Sequence, residues 1–337
     1  MLVRLQLYII KKKMKKVKVA LIGTGNWSLQ HCRILSQHPQ VEFCGILGRD
    51  KERTKKRARI YDVPYYLDLK ELIKNQKPDL INISLPNEHH YEMTMNVIKS
   101  NCHLFVEKPL VFSINEAKNL IKEAEKRKLF FGINFNWHYS TPVQKALEAI
   151  KKGKLGNINF ITWRFGGTGG GGDAYGNLIE TQCHGFDMLE YLNGPIKSVN
   201  SFMTDKTNNG FSTFVVSMKF KNNAIGSLLG SYDTSYAYPN SHYVEINGTK
   251  GRILIEDQVK KFTFNKVGSE VAEVWQAGFF NDYEREFLRT FDEHFNEVIN
   301  SFLKGNKPPI HAIKGKRALQ IAIASIKAMK SYKTVTL

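Results

Sequence analysis

The stretch Lys16-Val17-Lys18-Val19-Ala20-Leu21-Ile22-Gly23-Thr24-Gly25-Asn26-Trp27-Ser28 decides how the chain begins to fold. Its first seven residues are rich in β-branched and other apolar side chains, the composition of a buried strand. Gly23-Thr24-Gly25 ends that run, and the segment from Trp27 to Gln37 reads as a helix. A strand that turns on glycines into a helix is the context in which a GxGxx-small pattern binds a dinucleotide. In that reading Gly23 makes the tight turn and Gly25 lets the backbone approach a pyrophosphate. Ser28 is the small residue that lets helix and strand pack closely. Asn26 and Trp27 complete the loop, where a helix N-terminus favours phosphate charge. A plain strand–turn–helix connection is the competing reading.

The same grammar continues outward. Residues 41–47, 80–85, 103–106 and 130–134 read as strands, and 51–60 and 91–100 as helices. Ser113-Ile114-Asn115-Glu116 fits a capping box, so a helix is expected from there to about Lys128. Alternating strands and helices of this length imply a doubly wound parallel sheet. After about residue 135 the pattern changes. Thr141-Pro142 opens a helix, and strand-like runs then dominate residues 158–165, 199–203, 212–220, 224–232, 242–247, 252–256 and 261–264. Asn247-Gly248 and Thr249-Lys250-Gly251 supply hairpin turn chemistry. Two helices, about 282–303 and 313–331, close the chain. The sequence therefore predicts an α/β protein. Residues 14–135 form the doubly wound domain, residues 136–337 form an α+β domain with a mostly antiparallel sheet, and residues 1–13 are a tail. Gly166–Gly172 reads as a flexible loop.

Composition narrows the class. The 337 residues are 42% hydrophobic and 24% charged, ordinary for a globular protein of about two domains, which excludes disorder as the main state. No stretch approaches the ~20 continuous apolar residues of a membrane span, so no membrane partner is expected. The net charge is +18, of which Arg4 and five lysines within residues 1–16 supply six charges. The remaining lysines are scattered and no nucleic-acid motif accompanies them, so nucleic acid is not an expected partner. Cys32, Cys44, Cys102 and Cys183 form no CxxC pair and fit no zinc spacing. No metal is expected, and the default compartment is the cytoplasm. The N-terminus is no signal peptide, because its apolar residues precede its lysines.

Three further stretches carry chemistry. About 20 residues past Ser28, where an acid would bond the ribose 2′-hydroxyl of NAD, stands Gly48, followed by Arg49 and Asp50. A glycine there leaves room for a 2′-phosphate, and Arg49 can meet it with a forked pair of hydrogen bonds, which favours NADP. The alternative is NAD, with Asp50 on the hydroxyl and Arg49 a solvated charge. Glu107-Lys108-Pro109 follows a strand at the carboxyl end of the sheet, where ligands of open α/β folds bind. A lysine there can donate to a substrate oxygen and stabilise a developing alkoxide, or be an ordinary surface lysine. In Glu180-Thr181-Gln182-Cys183-His184-Gly185-Phe186-Asp187 a helix would set Glu180, His184 and Asp187 on one face. A carboxylate beside an imidazole fixes its tautomer, and the imidazole can then act as general acid or base. The plainer reading is a helix start with capping carboxylates and a surface histidine.

These elements in this order resemble the glucose-fructose oxidoreductase / inositol dehydrogenase (Gfo/Idh/MocA) family. The resemblance rests on the Gly23–Ser28 loop, on Pro86-Asn87 with His90 three residues on, and on Glu107-Lys108-Pro109. It extends to Gly176-Asn177-Leu178-Ile179-Glu180 followed by His184 and Asp187, to Asn247-Gly248-Thr249-Lys250-Gly251-Arg252, and to a final helix around Arg317-Ala318-Leu319. It covers roughly residues 17–337. The family's fold is a Rossmann domain plus an α/β domain whose open sheet commonly forms a dimer or tetramer interface.

The resemblance implies that Pro86, Asn87, His90, Glu107 and Lys108 join the glycine loop in holding the cofactor. Lys108 and His184 correspond to the catalytic lysine and histidine, and Glu180 to the assisting acid. The family usually has Asp at that position and an unbroken Gly triplet where this chain has Ala174-Tyr175-Gly176. The implied reaction is hydride transfer between NAD(P) and a secondary alcohol or ketone of a sugar, cyclitol or related polyol. A glycosidase acting by transient oxidation, or a non-catalytic NADP-binding sensor, are the alternatives. Asn134, Asn136, His138 and Trp163 lie in segments expected to face the cleft, and with Asp187 they are the substrate-binding candidates.

Overall fold

The computed structural model describes residues 15–169, 173–208, 210–234, 238–278 and 283–337. The tail of residues 1–13 and residues 170–172 of the glycine-rich loop lie outside the described residues. Two compact units share the chain. One takes the chain through Glu107 together with Leu120–Gly132 and Phe295–His311. The other takes Lys108–Asn119, Ile133–His294 and Ala312–Leu337.

The first unit is built on β1 (Val17–Ile22), followed by α1 (Asn26–Gln37), β2 (Val41–Leu47), α2 (Lys51–Ile60), β3 (Tyr65–Tyr66) and α3 (Leu69–Gln76). Then come β4 (Leu80–Ile83), α4 (His90–Lys99), β5 (His103–Val106), α5 (Ile114–Lys126) and β6 (Phe131–Ile133), of which Ile114–Asn119 and Ile133 are assigned to the second unit. The sheet order is β3-β2-β1-β4-β5-β6. β1 is central: Val19 pairs in parallel with Phe43 on one side and Leu80 on the other. Val19, Ala20, Leu21 and Ile22 are all buried, which is why the strand reads as a continuous apolar run instead of an alternating one. β3 and α3 go beyond the sequence reading. A two-residue strand has no periodicity to detect, but α3 has a start signal, since the Asp68 carboxylate accepts from the Glu71 N–H at 3.0 Å.

The second unit holds α6 (Thr141–Lys151), β7 (Ile158–Gly166), α7 (Cys183–Asn193), β8 (Ile196–Thr204), β9 (Thr213–Phe220) and β10 (Ile225–Ser231). It continues through β11 (His242–Gly248), β12 (Gly251–Glu256), β13 (Lys261–Lys266), β14 (Ala272–Gln276), α8 (Tyr283–Leu303, assigned to the first unit from Phe295 on), α9 (Ile313–Ser331) and β15 (Val335–Thr336). Its nine strands run in the order β14-β13-β12-β11-β7-β10-β9-β8-β15. All neighbours are antiparallel except the parallel pair β7–β10. α7 packs on β7 and α9 on β8, covering one face of the sheet. Ile161, Trp163 and Phe165 of β7 are buried, and Val244 and Ile246 of β11 extend that apolar layer. Alternate positions point the other way. Phe202, Val215 and Leu229 stand opposite one another across β8, β9 and β10, and are 68%, 37% and 44% exposed.

Candidate active site

The glycine loop borders a cleft of about 540 Å³ in the first unit, lined by Gly23, Gly25, Gly48, Arg49, Pro86 and His89 among others. Gly23 has φ +127°, and a Cβ there would stand 1.9 Å from the Ser84 carbonyl oxygen, so only glycine fits. At Gly25 a Cβ would meet no protein atom within 4 Å. The loop thus keeps bare backbone facing open space at the start of α1, the cradle a pyrophosphate requires. Ser28 is buried and donates to the Ser84 carbonyl at 3.2 Å, joining α1 to the end of β4. Trp27 is 52% exposed. The chemistry of this lining fits a dinucleotide.

At Gly48 a Cβ would stand 2.2 Å from Thr54 Oγ1 and 2.8 Å from Thr24 Cγ2, so α2 and the loop leave no room for a side chain on this residue. Arg49 hydrogen-bonds His89 across the cleft, and Asp50 caps α2, accepting from the Arg53 N–H at 2.7 Å. Asp50 Oδ1 makes that cap, and the residue also lines the cleft. His90 is buried against the Leu85 carbonyl at 2.8 Å, so it holds the strand end, and its neighbour His89 lines the cleft instead.

Glu107 heads a buried chain that the sequence reading missed. His31 Nε2 lies 2.7 Å from Glu107 Oε1, and His31 Nδ1 lies 2.7 Å from Asn82 Oδ1. Asn82 Nδ2 donates to the Phe105 carbonyl, which makes Oδ1 the acceptor and places a hydrogen on His31 Nδ1. One proton is then shared between Nε2 and the carboxylate. The chain ties the helix that follows the glycine loop to β4 and to the end of β5, next to Lys108 in sequence. The His three residues after Ser28 was the available signal.

In the second unit, His184 is the second residue of α7 and is 7% exposed. Its ring stacks on Trp137 with centroids 4.8 Å apart and planes 10° from parallel, and meets Phe135 edge-on at 5.6 Å. The thiol of Cys183 just before it is pushed up to about 12 by burial. The Lys108 charge is the largest influence opposing that rise, and Asp187 and Glu180 reinforce it. The charges of Lys108, Glu180 and Asp187 thus all reach the residue that precedes His184. The expected single helix is broken, however. Asn177–Thr181 forms a π-turn closed by Gln182 N–H to the Asn177 carbonyl at 3.3 Å, and α7 starts only at Cys183. Glu180 thus stands on the turn, not on a shared helix face. The cause is local: Gln182 accepts from the Trp163 indole at 3.0 Å, and Cys183 donates back to the Glu180 carbonyl. Asp187 pairs with His138 instead of His184.

Comparison with known proteins agrees in both halves. An oxidoreductase-family profile for the NAD-binding Rossmann fold (GFO_IDH_MocA) matches residues 17–135, and the profile for that family's C-terminal α/β domain matches residues 147–337. The chain belongs to the Gfo/Idh/MocA oxidoreductase family. A relative, myo-inositol 2-dehydrogenase of Thermotoga maritima, is 24% identical over 95% of this chain and 98% of its own. Levoglucosan dehydrogenase in complex with NADH and levoglucosan superposes with a TM-score of 0.85 at 17% identity, over 96% of this chain and 99% of that one. WlbA dehydrogenase from Bordetella pertussis, in complex with NADH and UDP-GlcNAcA, gives 0.82 at 18% identity over 96% and 98%. As a Gfo/Idh/MocA member the chain is an NAD(P)-dependent oxidoreductase, with an N-terminal Rossmann domain and a C-terminal domain built on a mixed, mostly antiparallel sheet.

Within this family member the remaining candidates have internal partners. Asn134 bonds His294 of α8 at 2.8 Å, and Asn136 donates to Thr290 of the same helix at 2.7 Å. His138 stacks on Tyr191 as well as pairing with Asp187, and Trp163 is 1% exposed with its indole N–H on Gln182. These side chains set the interior that carries His184. Among the described residues no group of three or more His, Cys, Asp or Glu is placed to hold a metal ion, and no helix is long and apolar enough to cross a membrane.

Proposed function

We propose that this family member interconverts a secondary alcohol and a ketone on a sugar, cyclitol or related polyol. The observation that carries the reading is His184, buried at the start of α7 with its ring stacked on Trp137, beside a Cys183 thiol that feels the charges of Lys108 and Glu180. The bound nicotinamide supplies the hydride acceptor or donor. His184 takes the hydroxyl proton during oxidation and returns it during reduction. Lys108 Nζ donates to the reacting oxygen and stabilises its charge. Glu180 orients the imidazole or the substrate from the π-turn. The relative named myo-inositol 2-dehydrogenase supports a polyol as the substrate class. Gly23, Gly25, Asn26 and Trp27 hold the pyrophosphate, Ser28 packs the loop's helix against the sheet, Gly48, Pro86, Asn87 and His90 shape the pocket, and Glu107 and Lys108 complete the cofactor contacts.

NADP is the preferred cofactor in this reading, with NAD as the alternative. Arg49 and Arg53 both line the cleft, beside Asp50 and Glu92. Arg49→Ala is expected to weaken NADPH binding at least about tenfold more than NADH binding, a 1.4 kcal/mol difference. A wild-type preference for NADH would end the NADP assignment. The exposed row Phe202, Val215 and Leu229 supports a dimer or tetramer formed through this sheet. Leu229→Lys should then lower the mass measured by light scattering. A cytoplasmic setting suits the free, buried thiols.

The deciding experiment is turnover of a polyol panel by wild type, His184→Ala and Lys108→Ala, followed at the nicotinamide absorbance. Each variant should lose at least ~100-fold in kcat, and His184→Ala should bind cofactor normally. Near-normal turnover in either variant removes the role given to that residue.

A further inference from the structure

We infer that Trp137 is the positioning residue for His184: its indole face fixes the plane of the imidazole and stabilises the ring's protonated form. The inference rests on reading His184 as the proton acceptor.

The geometry is specific. Trp137 lies in the short turn Asn136–Tyr139 and is 7% exposed. Its indole is wedged among Trp163 at 5.8 Å, Phe165 at 5.3 Å and His242 at 5.8 Å, each tilted by about a third of a right angle. Phe165 and His242 are themselves stacked at 3.9 Å. An indole held on that side cannot rotate away from His184, which lies nearly parallel to it at 4.8 Å. Phe135 closes another side edge-on. The imidazole plane is thereby set by packing before any substrate arrives.

The same face acts on charge. An aromatic face attracts a cation, and a Trp face does so most strongly. When His184 accepts a proton, its imidazolium forms against that face. Lys108, whose charge reaches the adjacent Cys183, and the N-terminus of α7 oppose the new charge. Glu180 and Asp187 favour it, although Asp187 is already paired with His138. Cys183 stays a neutral thiol, and burial pushes His242 down to about 4, so neither adds charge near neutral pH. With one cation and one helix end against it, the imidazolium gains from the indole a stabilisation that an aliphatic side chain of similar bulk cannot supply.

The test is an NMR titration of the full-length protein with ¹³Cε1-labelled histidine, the His184 signal being assigned by its loss in His184→Ala. Trp137→Phe, Trp137→Leu and Trp137→Met are compared with wild type. Leu and Met should lower the His184 midpoint by roughly 0.4 to 1.5 pH units, the range of cation–π attraction. Phe should keep most of the wild-type value. The limb of the kcat–pH profile that reports His184 should move in step, with NADPH binding unchanged. Met keeps the volume filled if Leu does not fold. An unmoved midpoint in folded Leu or Met variants overturns the inference, as does a Phe variant that shifts as far as Met. Failure of the catalytic reading shows separately, as turnover surviving in His184→Ala.

Discussion

Gly25→Ala separates binding from folding more cleanly than any other change in this chain. Gly25 is the N-cap of α1 with φ −72° and ψ −174°, a conformation open to any residue. A methyl group there meets nothing within 4 Å, so the folded chain bears no strain from it. The unfolded chain loses freedom while the N-cap exchanges glycine for the less favourable alanine, so the two effects oppose and stability should change by less than about 1 kcal/mol. The bound dinucleotide is affected differently. If its pyrophosphate lies against this backbone, the methyl group occupies contact space, and overpacking of that kind costs roughly 1–3 kcal/mol. Cofactor affinity should therefore fall by about 5- to 150-fold. Fluorescence titration with NADPH and NADH measures the first quantity, and urea unfolding the second. Gly23→Ala is the contrast, because its Cβ would stand 1.9 Å from a carbonyl oxygen, and both fold and binding should suffer. Wild-type affinity in Gly25→Ala would refute the placement of the pyrophosphate on this loop.

Other perturbations test other parts. His31→Leu leaves Glu107 without its imidazole partner and should cost about 3–5 kcal/mol in urea unfolding, more than any surface substitution nearby. A loss below 1 kcal/mol would mean the buried chain is dispensable. His242 is held down to about 4 by burial, below the 6.5 of a free imidazole. Above pH 6.5 both folded and unfolded states are neutral there. Below it the unfolded chain takes a proton that the folded one refuses, so this contribution to stability falls as pH drops from 6.5 towards 4, by about 3 kcal/mol in total. His242→Phe should flatten stability across that window, and an unchanged pH dependence would assign the acid sensitivity elsewhere. All four cysteines are free and buried, and burial raises each thiol, Cys183 and Cys44 to about 12 and Cys32 to about 11. A thiol reagent at pH 8 should label none in the folded protein and four in urea; rapid native labelling would contradict the packing around α1 and α7.

Much of this was legible beforehand because it is local. The run from Val17 to Ile22 announces a buried strand, and Thr141-Pro142 announces a helix start, which the structure caps through Ser140 and the Val143 N–H. The strands of the second unit declare themselves by alternation, since one face is covered and the other is not. The site was legible as a set of residue types but not as an arrangement. Nothing in the spacing of Glu180 and His184 shows that the Trp163 indole will capture Gln182 between them and hold a π-turn there. Nor does spacing show that His31 reaches Glu107, 76 positions away. Such contacts depend on which strands become neighbours, and that is settled by packing across the whole sheet.

The crowding at Gly48 bears on how coenzyme choice can drift or be redesigned. The usual route from NADP to NAD places an acid at the end of the second strand to meet a free ribose hydroxyl. Here the first atom of any such side chain lands on Thr54 Oγ1, which is itself bonded to the Asp50 carbonyl at the head of α2. A single exchange at position 48 therefore disturbs the helix before it can reach a ribose. Selection or an engineer would have to trim Thr54 first, through an intermediate that gains nothing from the change, so the residue at this strand end is guarded by its neighbour.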